Sequence, residues 1–545
     1  MSKRDKIDII LLRIIFISIF FIFMKKPVIL VIIDGWGINN NSQGNVLKET
    51  QLPTIKKMIK FYPMVALQAS GISVGLPWGE PGNSEVGHIT LGAGKIIYQN
   101  LPRISLSIQD GTFFRNEAFL SAMTKVNKNN SALHLMGLVG EGSVHSYTEH
   151  LFSLLEMAKN QKVKKIFIHI FTDGRDSPPT SGVKSITNLM DKIKMIGIGR
   201  IASISGRSFG MDRNNNWDRV EKSYNVIVKG EGEKITDILK YLEDSYAQEL
   251  TDEYIQPAVM TEDGKPIGLV NNNDSVIFFN FREDRAREIT KAFVLPGFEK
   301  FKRDRYLNIN FVTMTEYEKD LPVNIAYAKE EIKNGLGEIL SNLDLKQLRM
   351  AETEKYAHVT YFFNGGREEP WSGEDRILIP SPSVATFDLA PEMSAFQLTE
   401  KIIQAVKSGK YSFILINYAN ADMVGHTGKK EACAEAVRAI DKSLSLIIPA
   451  VLSAGGSLFV TSDHGNVEEI KNFYTGQTDT EHSTNPVPFW YIAPKNHREK
   501  KAETIVRQET EIGGLLSDVA PTILEIMDIK KPEEMTGQSL LPMLK

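Results

Sequence analysis

Cysteine and net charge are both scarce in this 545-residue chain, which has one cysteine, Cys433, and a formal net charge of −3. A single cysteine forms neither an intramolecular disulfide nor a cysteine metal cluster, which suits a reducing compartment and predicts the cytoplasm. Because the chain lacks a net positive field, we expect no nucleic-acid partner. Any anionic ligand must be held by local arginines.

The chain also lacks glycine-rich, proline-rich and repetitive stretches, and its 40 glycines and 23 prolines are close to average usage. Hydrophobic residues make up 42% and charged residues 24% of the chain. This composition excludes the disordered and collagen-like classes. At roughly 100–200 residues per domain, the length predicts about three domains, or two large ones.

The N-terminus carries an apolar run at residues 9–23, broken only by Arg13 and Ser18. It is shorter than the roughly 20 residues that a membrane-spanning helix needs, and no small-residue cleavage site follows it. A second start signature appears at Met24. We therefore interpret residues 1–23 as an upstream extension or a misassigned start. The alternative is a membrane anchor, which would make a membrane a partner.

Short apolar runs followed by Asp or His recur at the two ends of the chain. Val28–Ile33 precedes Asp34, residues 413–417 precede Asp422, and Ser457–Thr461 precedes Asp463-His464. Helical stretches such as residues 431–452 lie between such runs, and this alternation predicts an α/β fold with a mainly parallel sheet. Ligands bind at the carboxyl ends of strands in such sheets.

A second set of runs, in the middle of the chain, is followed by arginine and histidine. The runs are Leu133–Val139 and residues 166–171, 201–204 and 276–281. An inserted domain that splits a metal-binding domain explains both sets. We predict a discontinuous domain of residues 24–100 and 329–545 and an inserted substrate-binding domain of residues 101–328. Prolines at Leu101-Pro102 and Leu321-Pro322 mark plausible joints.

Carboxylates and imidazoles at the predicted strand ends could hold metal ions. The candidates are Asp34, Asp422 with His426, Asp463 with His464, and His482. Oxygen and nitrogen ligands without thiols favour two divalent cations, with Mn²⁺ expected first and Mg²⁺ or Zn²⁺ as alternatives. Any one of these histidines alone could equally be an ordinary hydrogen-bonded residue. Their clustering at strand ends favours the metal interpretation.

A serine between glycines, in Gly82-Asn-Ser84-Glu-Val-Gly87-His88, could act as a nucleophile. A divalent cation can lower the pKa of a serine hydroxyl, and amides at a helix start can hold a phosphoryl group. The alternative is that Ser84 simply caps a helix.

Arginines after the middle strands could bind a small anion. They are Arg175, Arg207, Arg213, Arg282 and Arg285. Guanidinium groups bind carboxylate and phosphate in bidentate fashion, which implies a dianionic or trianionic substrate. Surface salt bridges, with residues 282–287 on a solvated helix face, are the alternative.

Together these residues resemble the cofactor-independent phosphoglycerate mutase family of the alkaline phosphatase superfamily, from about Met24 to the C-terminus. The motifs that carry the resemblance are Asp34-Gly-Trp-Gly37, Gly82-Asn-Ser-Glu-Val-Gly-His88, Gly92-Ala-Gly94, His134-Leu-Met-Gly137, Val144-His145-Ser146, Asp173-Gly-Arg-Asp176, Met211-Asp-Arg213, Trp217-Asp-Arg219, Glu354-Lys-Tyr-Ala-His-Val-Thr360, Phe363-Asn-Gly-Gly366, Asn417-Tyr-Ala-Asn-Ala-Asp422, Asp463-His-Gly-Asn466 and Asn485-Pro-Val-Pro488.

The resemblance implies interconversion of 3-phosphoglycerate and 2-phosphoglycerate, in glycolysis and gluconeogenesis, through a phosphoserine at Ser84. It implies no need for 2,3-bisphosphoglycerate, and it assigns one metal to Asp422, His426 and His482 and another to Asp34, Ser84, Asp463 and His464. The implied substrate contacts are His145, Arg175, Asp176, Arg207, Arg213, Arg282, Arg285 and Lys355. Among them, Asp176 would be the general acid and base, and Lys355 would neutralise the transferring phosphoryl group.

The chain departs from the family pattern at Glu141, Ser143, Tyr147 and Glu283. We expect these departures to affect kinetic details and not the activity, and we expect a monomer. The nearest alternative functions are a metal-dependent phosphatase, a phosphodiesterase or phosphopentomutase; an arginine-rich insert argues against simple hydrolysis. A membrane-tethered scaffold built on an inactive enzyme is a further alternative, which the intact nucleophile and ligand set disfavours.

Overall fold

The computed structural model describes residues 26–41, 43–472 and 475–545. The apolar run at residues 9–23 lies outside the described residues, so its interpretation stays a prediction. None of the helices in the described ranges combines the length and apolarity that crossing a membrane requires. The chain divides into two compact units: unit 1 comprises the residues up to Tyr98 together with Glu331–Lys545, and unit 2 is Gln99–Glu330.

Unit 1 is built on an eight-stranded, mostly parallel sheet. Its strands, numbered in chain order, are β1 Val28–Ile33, β2 Met64–Gln68, β12 Gln347–Glu352, β13 Glu374–Ile379, β14 Phe413–Tyr418, β15 Ser457–Thr461, β16 Val487–Ile492 and β17 Ile512–Leu515. They lie in the order β13-β12-β14-β1-β15-β16-β2-β17, and β16 runs antiparallel to both of its neighbours. β1 therefore sits centrally, parallel to β14 and β15.

The buried sequence of β1 explains why helices cover both faces of this sheet. Ile29 and Val31 pack into one hydrophobic cluster, and Leu30 and Ile32 pack into another. Alternate strand residues point to opposite faces, so a continuously apolar strand needs a cover on each side. The helices of unit 1 are Val46–Glu49, Pro53–Phe61, Ser84–Ala93, Leu336–Asn342, Ala395–Ser408, Asn420–Gly425, Lys430–Ser453, Ala502–Thr510 and Val519–Ile526.

Unit 2 has its own mostly parallel sheet. Its strands are β3 Leu133–Val139, β4 Ile166–Thr172, β5 Arg200–Gly206, β6 Glu233–Ile235, β7 Ala258–Glu262, β8 Lys265–Pro266, β9 Ser275–Phe278, β10 Asn310–Thr315 and β11 Asn324–Tyr327. The order is β11-β10-β9-β3-β4-β5-β7-β6, with β8 paired to β7. Its helices are Asn100–Gln109, Glu117–Asn129, Thr148–Asn160, Gly182–Ile196, Arg207–Gly210, Trp217–Val228, Ile238–Ala247 and Arg287–Val294.

These two sheets confirm the predicted α/β fold. One predicted strand was too long: β9 ends at Phe278, whereas the sequence predicted a strand to residue 281. The Phe279 amide still donates to the Met136 carbonyl at 2.9 Å, but the Phe281 amide donates to the His145 carbonyl, outside the strands, at 2.9 Å. The loop with Arg282 and Arg285 follows. The solvated helix considered for residues 282–287 was also wrong, because the helix begins only at Arg287.

Candidate functional site

The carboxyl ends of three adjacent parallel strands in unit 1 carry the candidate metal ligands. Asp34 follows β1, Asp422 lies in the helix Asn420–Gly425 after β14, and Asp463-His464 follows β15. Because β1 lies between β14 and β15, these side chains converge, as expected at the carboxyl edge of such a sheet. Asp34, Asp463 and His464 are fully buried.

Ser84 is the first residue of its helix and not the cap. The cap is Asn83, whose side-chain oxygen accepts from the Val86 amide at 3.1 Å, so the capping alternative for Ser84 is wrong. The Ser84 hydroxyl is therefore free to point at the strand ends. It donates to Asp34 Oδ1 at 3.1 Å and lies 3.0 Å from His464 Nε2.

Lys355 joins the serine to the carboxylates. Its ammonium donates to Ser84 Oγ at 2.8 Å, to Asp34 Oδ1 at 2.7 Å and to Asp422 Oδ2 at 2.6 Å. The ammonium is buried, which by itself would lower the pKa of Lys355, but the carboxylates of Asp34 and Asp422 raise it instead. A fixed positive charge thus touches the candidate nucleophile.

Asp422, His426 and His482 converge on one point. The Nε2 atoms of His426 and His482 lie 3.2 and 3.1 Å from Asp422 Oδ1 and 3.1 Å from each other. Each Nδ1 faces a backbone carbonyl, that of Thr480 at 2.7 Å and that of Gly82 at 2.8 Å. A ring that donates from Nδ1 presents a lone pair at Nε2, the arrangement typical of metal-binding histidine.

The remaining candidates, Asp34, Ser84, Asp463 and His464, lie beside this group. His464 Nε2 is 3.3 Å from Asp34 Oδ1, 3.7 Å from Asp463 Oδ2 and 4.0 Å from Asp422 Oδ1. Asp463 Oδ2 is buried and makes no hydrogen bond to any described residue, which fits a metal-ligand oxygen. The carboxylate and imidazole donors fit divalent cations such as Mn²⁺ or Zn²⁺.

Two compact groups of the described residues could each hold an ion: Asp422 with His464 and His482, and Asp34 with His88 and Asp463. His88 was not among the predicted ligands, although it belongs to the Ser84 motif. Its Nδ1 lies 2.8 Å from the Ser84 carbonyl and 3.2 Å from Asp463 Oδ2. All seven predicted ligands lie in one cluster, and the assignment of each to a particular metal stays a prediction.

Two asparagines that the sequence analysis did not single out orient the carboxylates. Asn417 Nδ2 donates to Asp34 Oδ2 at 2.7 Å and lies 3.0 Å from His88 Nε2. Asn466 Nδ2 donates to Asp422 Oδ1 at 3.0 Å. Both follow the rule that located Asp34, since each lies at or just after the end of a strand.

The charges in the cluster stabilise one another: Asp34 and Asp422 are held as carboxylates, and His464 is held protonated. Burial alone would raise the pKa values of Asp34 and Asp422, but the Lys355 ammonium brings both pKa values well below the usual value. Burial would lower the pKa of His464, whereas Asp463 and the hydrogen bond to Asp34 raise this pKa to about 9. Because a metal ligand must be neutral imidazole, a cation would have to displace this proton.

Unit 2 contains the second cluster, at the ends of β4 and β5. Arg207 is almost fully buried, and its Nη1 lies 2.5 Å from both Asp173 Oδ1 and Asp176 Oδ2. His145 Nε2 is 3.8 Å from Asp176 Oδ2. Burial, followed by the Arg207 guanidinium, lowers the pKa of His145 to about 4. His145 is therefore neutral near pH 7.

Asp284, which was not identified from the sequence, offsets part of the positive charge of Arg213 and Arg282. Its carboxylate accepts from Arg213 Nη1 at 2.7 Å, lies 3.3 Å from Arg282 Nε and faces His145 Nδ1 at 3.6 Å. Arg285 Nη1 donates to the Met211 carbonyl at 3.2 Å. The signal was present, because Asp284 lies between two arginines that were identified.

Three of the predicted arginines remain open to solvent. The side chains of Arg175, Arg213 and Arg282 are 53%, 44% and 49% exposed, so a small anion can reach them. Arg175 lies 3.7 Å from Glu253, too far for a strong pair.

The departures from the family pattern have local partners. Glu141 pairs with Lys184 at 2.5 Å, the Tyr147 ring contacts His150, and Glu283 lies 3.7 Å from Arg287. No contact in unit 2 explains Ser143.

Known proteins are similar to this chain over most of its length. Residues 104–319 match the family model described as "BPG-independent PGAM N-terminus". The chain is 50% identical to the 2,3-bisphosphoglycerate-independent phosphoglycerate mutase of Clostridium acetobutylicum over 517 residues, which covers 95% of this chain and 99% of that protein. It is 48% identical to the protein of the same name from Clostridium tetani over 518 residues, with the same coverage.

A solved structure with similar coverage is that of Leishmania mexicana phosphoglycerate mutase at low cobalt concentration. It has a TM-score of 0.53 and 30% sequence identity, and the match covers 94% of this chain and 97% of that one. An identity of 50% over nearly the whole of both chains identifies the family. The chain belongs to the 2,3-bisphosphoglycerate-independent phosphoglycerate mutases.

Proposed function

We propose that the protein interconverts 3-phosphoglycerate and 2-phosphoglycerate through a phosphoserine at Ser84, without 2,3-bisphosphoglycerate. The observation that carries the proposal is the contact of the Ser84 hydroxyl with the buried Lys355 ammonium at 2.8 Å, next to Asp34 and His464. A serine hydroxyl is a weak nucleophile, and nearby fixed positive charge favours its deprotonated form. Relatives named 2,3-bisphosphoglycerate-independent phosphoglycerate mutase support the choice of substrate.

In the first half of the reaction, deprotonated Ser84 Oγ attacks the phosphorus, an O–P bond forms at the serine, and the bond from phosphorus to the C3 oxygen of the substrate breaks. The C3 oxygen leaves as an alkoxide and takes a proton from the Asp176 carboxyl group. In the second half, the C2 hydroxyl of the same glycerate gives a proton to the Asp176 carboxylate and attacks the phosphorus, and the bond from phosphorus to Ser84 Oγ breaks, which leaves Oγ deprotonated as at the start. Lys355 neutralises charge on the phosphoryl oxygens in both halves.

The donor set of the cluster fits two divalent cations, with Mn²⁺ proposed first. One would be held by Asp422, His426 and His482, and the other by Asp34, Ser84, Asp463 and His464. When bound, such cations supply positive charge that lowers the pKa of the serine hydroxyl and offsets the charge of the phosphoryl group. The convergence of His426 Nε2 and His482 Nε2 on Asp422 Oδ1 supports the first assignment.

The arginine cluster of unit 2 is proposed to hold the glycerate while the serine carries the phosphoryl group. Arg175, Arg213 and Arg282 are accessible partners for a carboxylate. Asp176, fixed by Arg207, is proposed to move the proton between the C3 and C2 hydroxyls. A simple phosphatase needs no such grip on its alcohol product.

The test combines an activity assay with detection of the intermediate. Ser84→Ala should abolish formation of 2-phosphoglycerate from 3-phosphoglycerate and remove the phosphorylated peptide that contains Ser84, measured by mass spectrometry after acid quenching. The matched control is Ser394→Ala, another buried serine of unit 1, whose hydroxyl donates to the Pro380 carbonyl at 2.7 Å. This control should keep normal turnover.

Chelation should also abolish activity, and Mn²⁺ should restore it, with no bisphosphoglycerate added. Near-normal turnover of Ser84→Ala would refute the covalent mechanism. If the unaltered protein releases mainly phosphate and glycerate, the proposed mutase activity is wrong and a phosphatase is the better account.

A further inference from the structure

A buried glutamate, Glu468, lies behind the ligand cluster and was not identified from the sequence. Its side chain has no exposed surface, and it follows Asp463-His464 by a few residues. Oε2 accepts hydrogen bonds from the backbone amides of Gly37 at 2.8 Å and Asn466 at 2.9 Å. Oε1 accepts from the Ser483 hydroxyl and from Asn485 Nδ2 at 3.0 Å.

These four donors belong to the three loops that carry candidate metal ligands. Gly37 follows Asp34 in the loop after β1, Asn466 follows His464, and Ser483 follows His482. The Gly37 and Glu468 positions are 431 residues apart in the chain. One carboxylate therefore ties the three loops together, two of them through their main-chain amides.

The main chain closes around this carboxylate without spare room. A Cβ added at Gly37 or at Gly465 would overlap the Glu468 carboxylate. The Ser483 amide also donates to the Gly465 carbonyl at 3.0 Å, which joins two of the loops directly. Glycine is thus required at both positions for close approach.

The chemistry of the side chain matters as much as its shape. All four neighbours are donors, and a carboxylate is the side-chain group that only accepts. An amide of the same size would direct its NH₂ group at one pair of these donors. At least one loop would then have to move or leave a buried donor unpaired, which is costly.

We infer that Glu468 is a positioning residue that sets the distance between the Asp34, His464 and His482 loops, and hence the affinity for divalent cations. The inference rests on the metal binding of the proposed function. Glu468 does not contact the ligand atoms; it acts through the backbone that carries them. Groups that orient metal ligands from behind typically change metal affinity by about 10–100-fold when they are replaced.

The experiment compares Glu468→Gln with Glu469→Gln in the full chain. Glu469 is the neighbouring residue, and among the described residues its Oε2 accepts from side-chain amides alone, those of Asn39 at 3.1 Å and Asn485 at 2.8 Å. The same chemical change therefore removes a contact with the loop main chain in one variant and spares it in the other. The probe is Mn²⁺ alone, with free Mn²⁺ measured by electron paramagnetic resonance.

We expect Glu468→Gln to weaken Mn²⁺ binding by about 10–100-fold and Glu469→Gln to change it by less than about two-fold. The Mn²⁺ concentration for half-maximal activity should rise by the same factor, while KM for 3-phosphoglycerate at saturating Mn²⁺ stays unchanged. A role in folding alone would lower the melting temperature and leave Mn²⁺ affinity unchanged well below it. That result would overturn the inference.

If Glu468→Gln does not fold, Glu468→Asp tests the positioning role instead. It keeps an acceptor-only group but shortens it by one methylene, so Mn²⁺ affinity should fall by several-fold, and an unchanged affinity would refute the positioning role. Absence of Mn²⁺ binding by the unaltered chain would refute the metal part of the proposed function and this inference with it. Equal affinity of the unaltered chain and Glu468→Gln would refute this inference alone.

Discussion

Replacing Lys355 with methionine should separate the two sources of positive charge in the cluster. Methionine is one atom shorter than lysine and uncharged, so two buried carboxylates lose their counter-charge, since the Lys355 ammonium lies 2.7 Å from Asp34 Oδ1 and 2.6 Å from Asp422 Oδ2. The carboxyl groups are also buried, so water cannot replace the ammonium without rearrangement. We expect a large loss of stability that depends on divalent cations.

The magnitude follows from the geometry. At an effective dielectric constant near 20, each of the two attractions amounts to about 6 kcal/mol. The cost of burying the charges and the repulsion between the carboxylates offset part of this. Removing one partner of a buried pair costs about 3–5 kcal/mol in practice. Because whole domains are stable by only about 5–15 kcal/mol, unit 1 should become marginal in the presence of a chelator.

Addition of Mn²⁺ should recover part of this loss. The ammonium repels a cation that uses the same carboxylates, so the variant should bind Mn²⁺ more tightly than the unaltered chain. A tenfold gain in affinity corresponds to about 1.4 kcal/mol of extra stabilisation at saturating metal. Turnover should nevertheless fall about 100-fold or more, because the charge that neutralises the phosphoryl group is lost.

The assay is urea unfolding followed by tryptophan fluorescence, with and without Mn²⁺, together with isomerisation rates. Lys500→Met is the matched control: it makes the same change in unit 1, where the lysine nitrogen donates to the Gln508 amide oxygen at 2.6 Å. Burial lowers the pKa of Lys500 to about 8, so its replacement should cost little. The reasoning fails if Lys355→Met loses equal stability with and without Mn²⁺, or keeps a turnover within about three-fold of normal.

Two further predictions concern unit 2. Arg213→Ala should let glycerate escape from the phosphoenzyme, because losing a charge-assisted contact with the bound carboxylate costs roughly 2–5 kcal/mol, or a factor of about thirty or more in residence time. The ratio of inorganic phosphate to 2-phosphoglycerate should rise, and an unchanged ratio would place glycerate retention elsewhere. His150→Gln should make the free energy of unfolding depend less on pH in the acidic range. Burial lowers the pKa of His150 to about 3, so its stability contribution is complete above the unfolded pKa near 6.5 and is lost as pH falls towards 3. The hydrogen bond to Ser105 Oγ can persist with glutamine. The slope of unfolding free energy between pH 6.5 and 4.5 should decrease by up to about 1.4 kcal/mol per pH unit, and equal slopes would contradict the assignment.

Strand ends were predictable from the sequence because a single local rule governs them. A short apolar run followed by a polar residue located Asp34, Asp463-His464 and Arg207, and the structure has β1, β15 and β5 before them. The same rule could have located Asn417, which was passed over because an amide suggests no chemistry by itself.

Contacts across the chain were harder to predict. Nothing local indicates that Glu468 accepts from Gly37, because that contact depends on which strands are neighbours in the sheet. Asp284 was missed for another reason. An acidic residue among arginines is usual on a solvated surface, and only the turn of the chain after β9 directs it at Arg213 and His145.

The central position of β1 affects how the protein is made. β1 pairs with β14 and β15, which are encoded far downstream, whereas unit 2 is one continuous stretch of chain. At about 5–20 residues per second, the roughly 385 residues between the paired strands β1 and β14 take about 20–80 s to synthesise. During that interval β1, with the sequence Val-Ile-Leu-Val-Ile-Ile, cannot pair with β14 or β15, whereas unit 2 can already fold. A nascent chain with an unpaired apolar strand is a natural client for chaperones, and slowing translation downstream of unit 2 should lower the yield of folded protein.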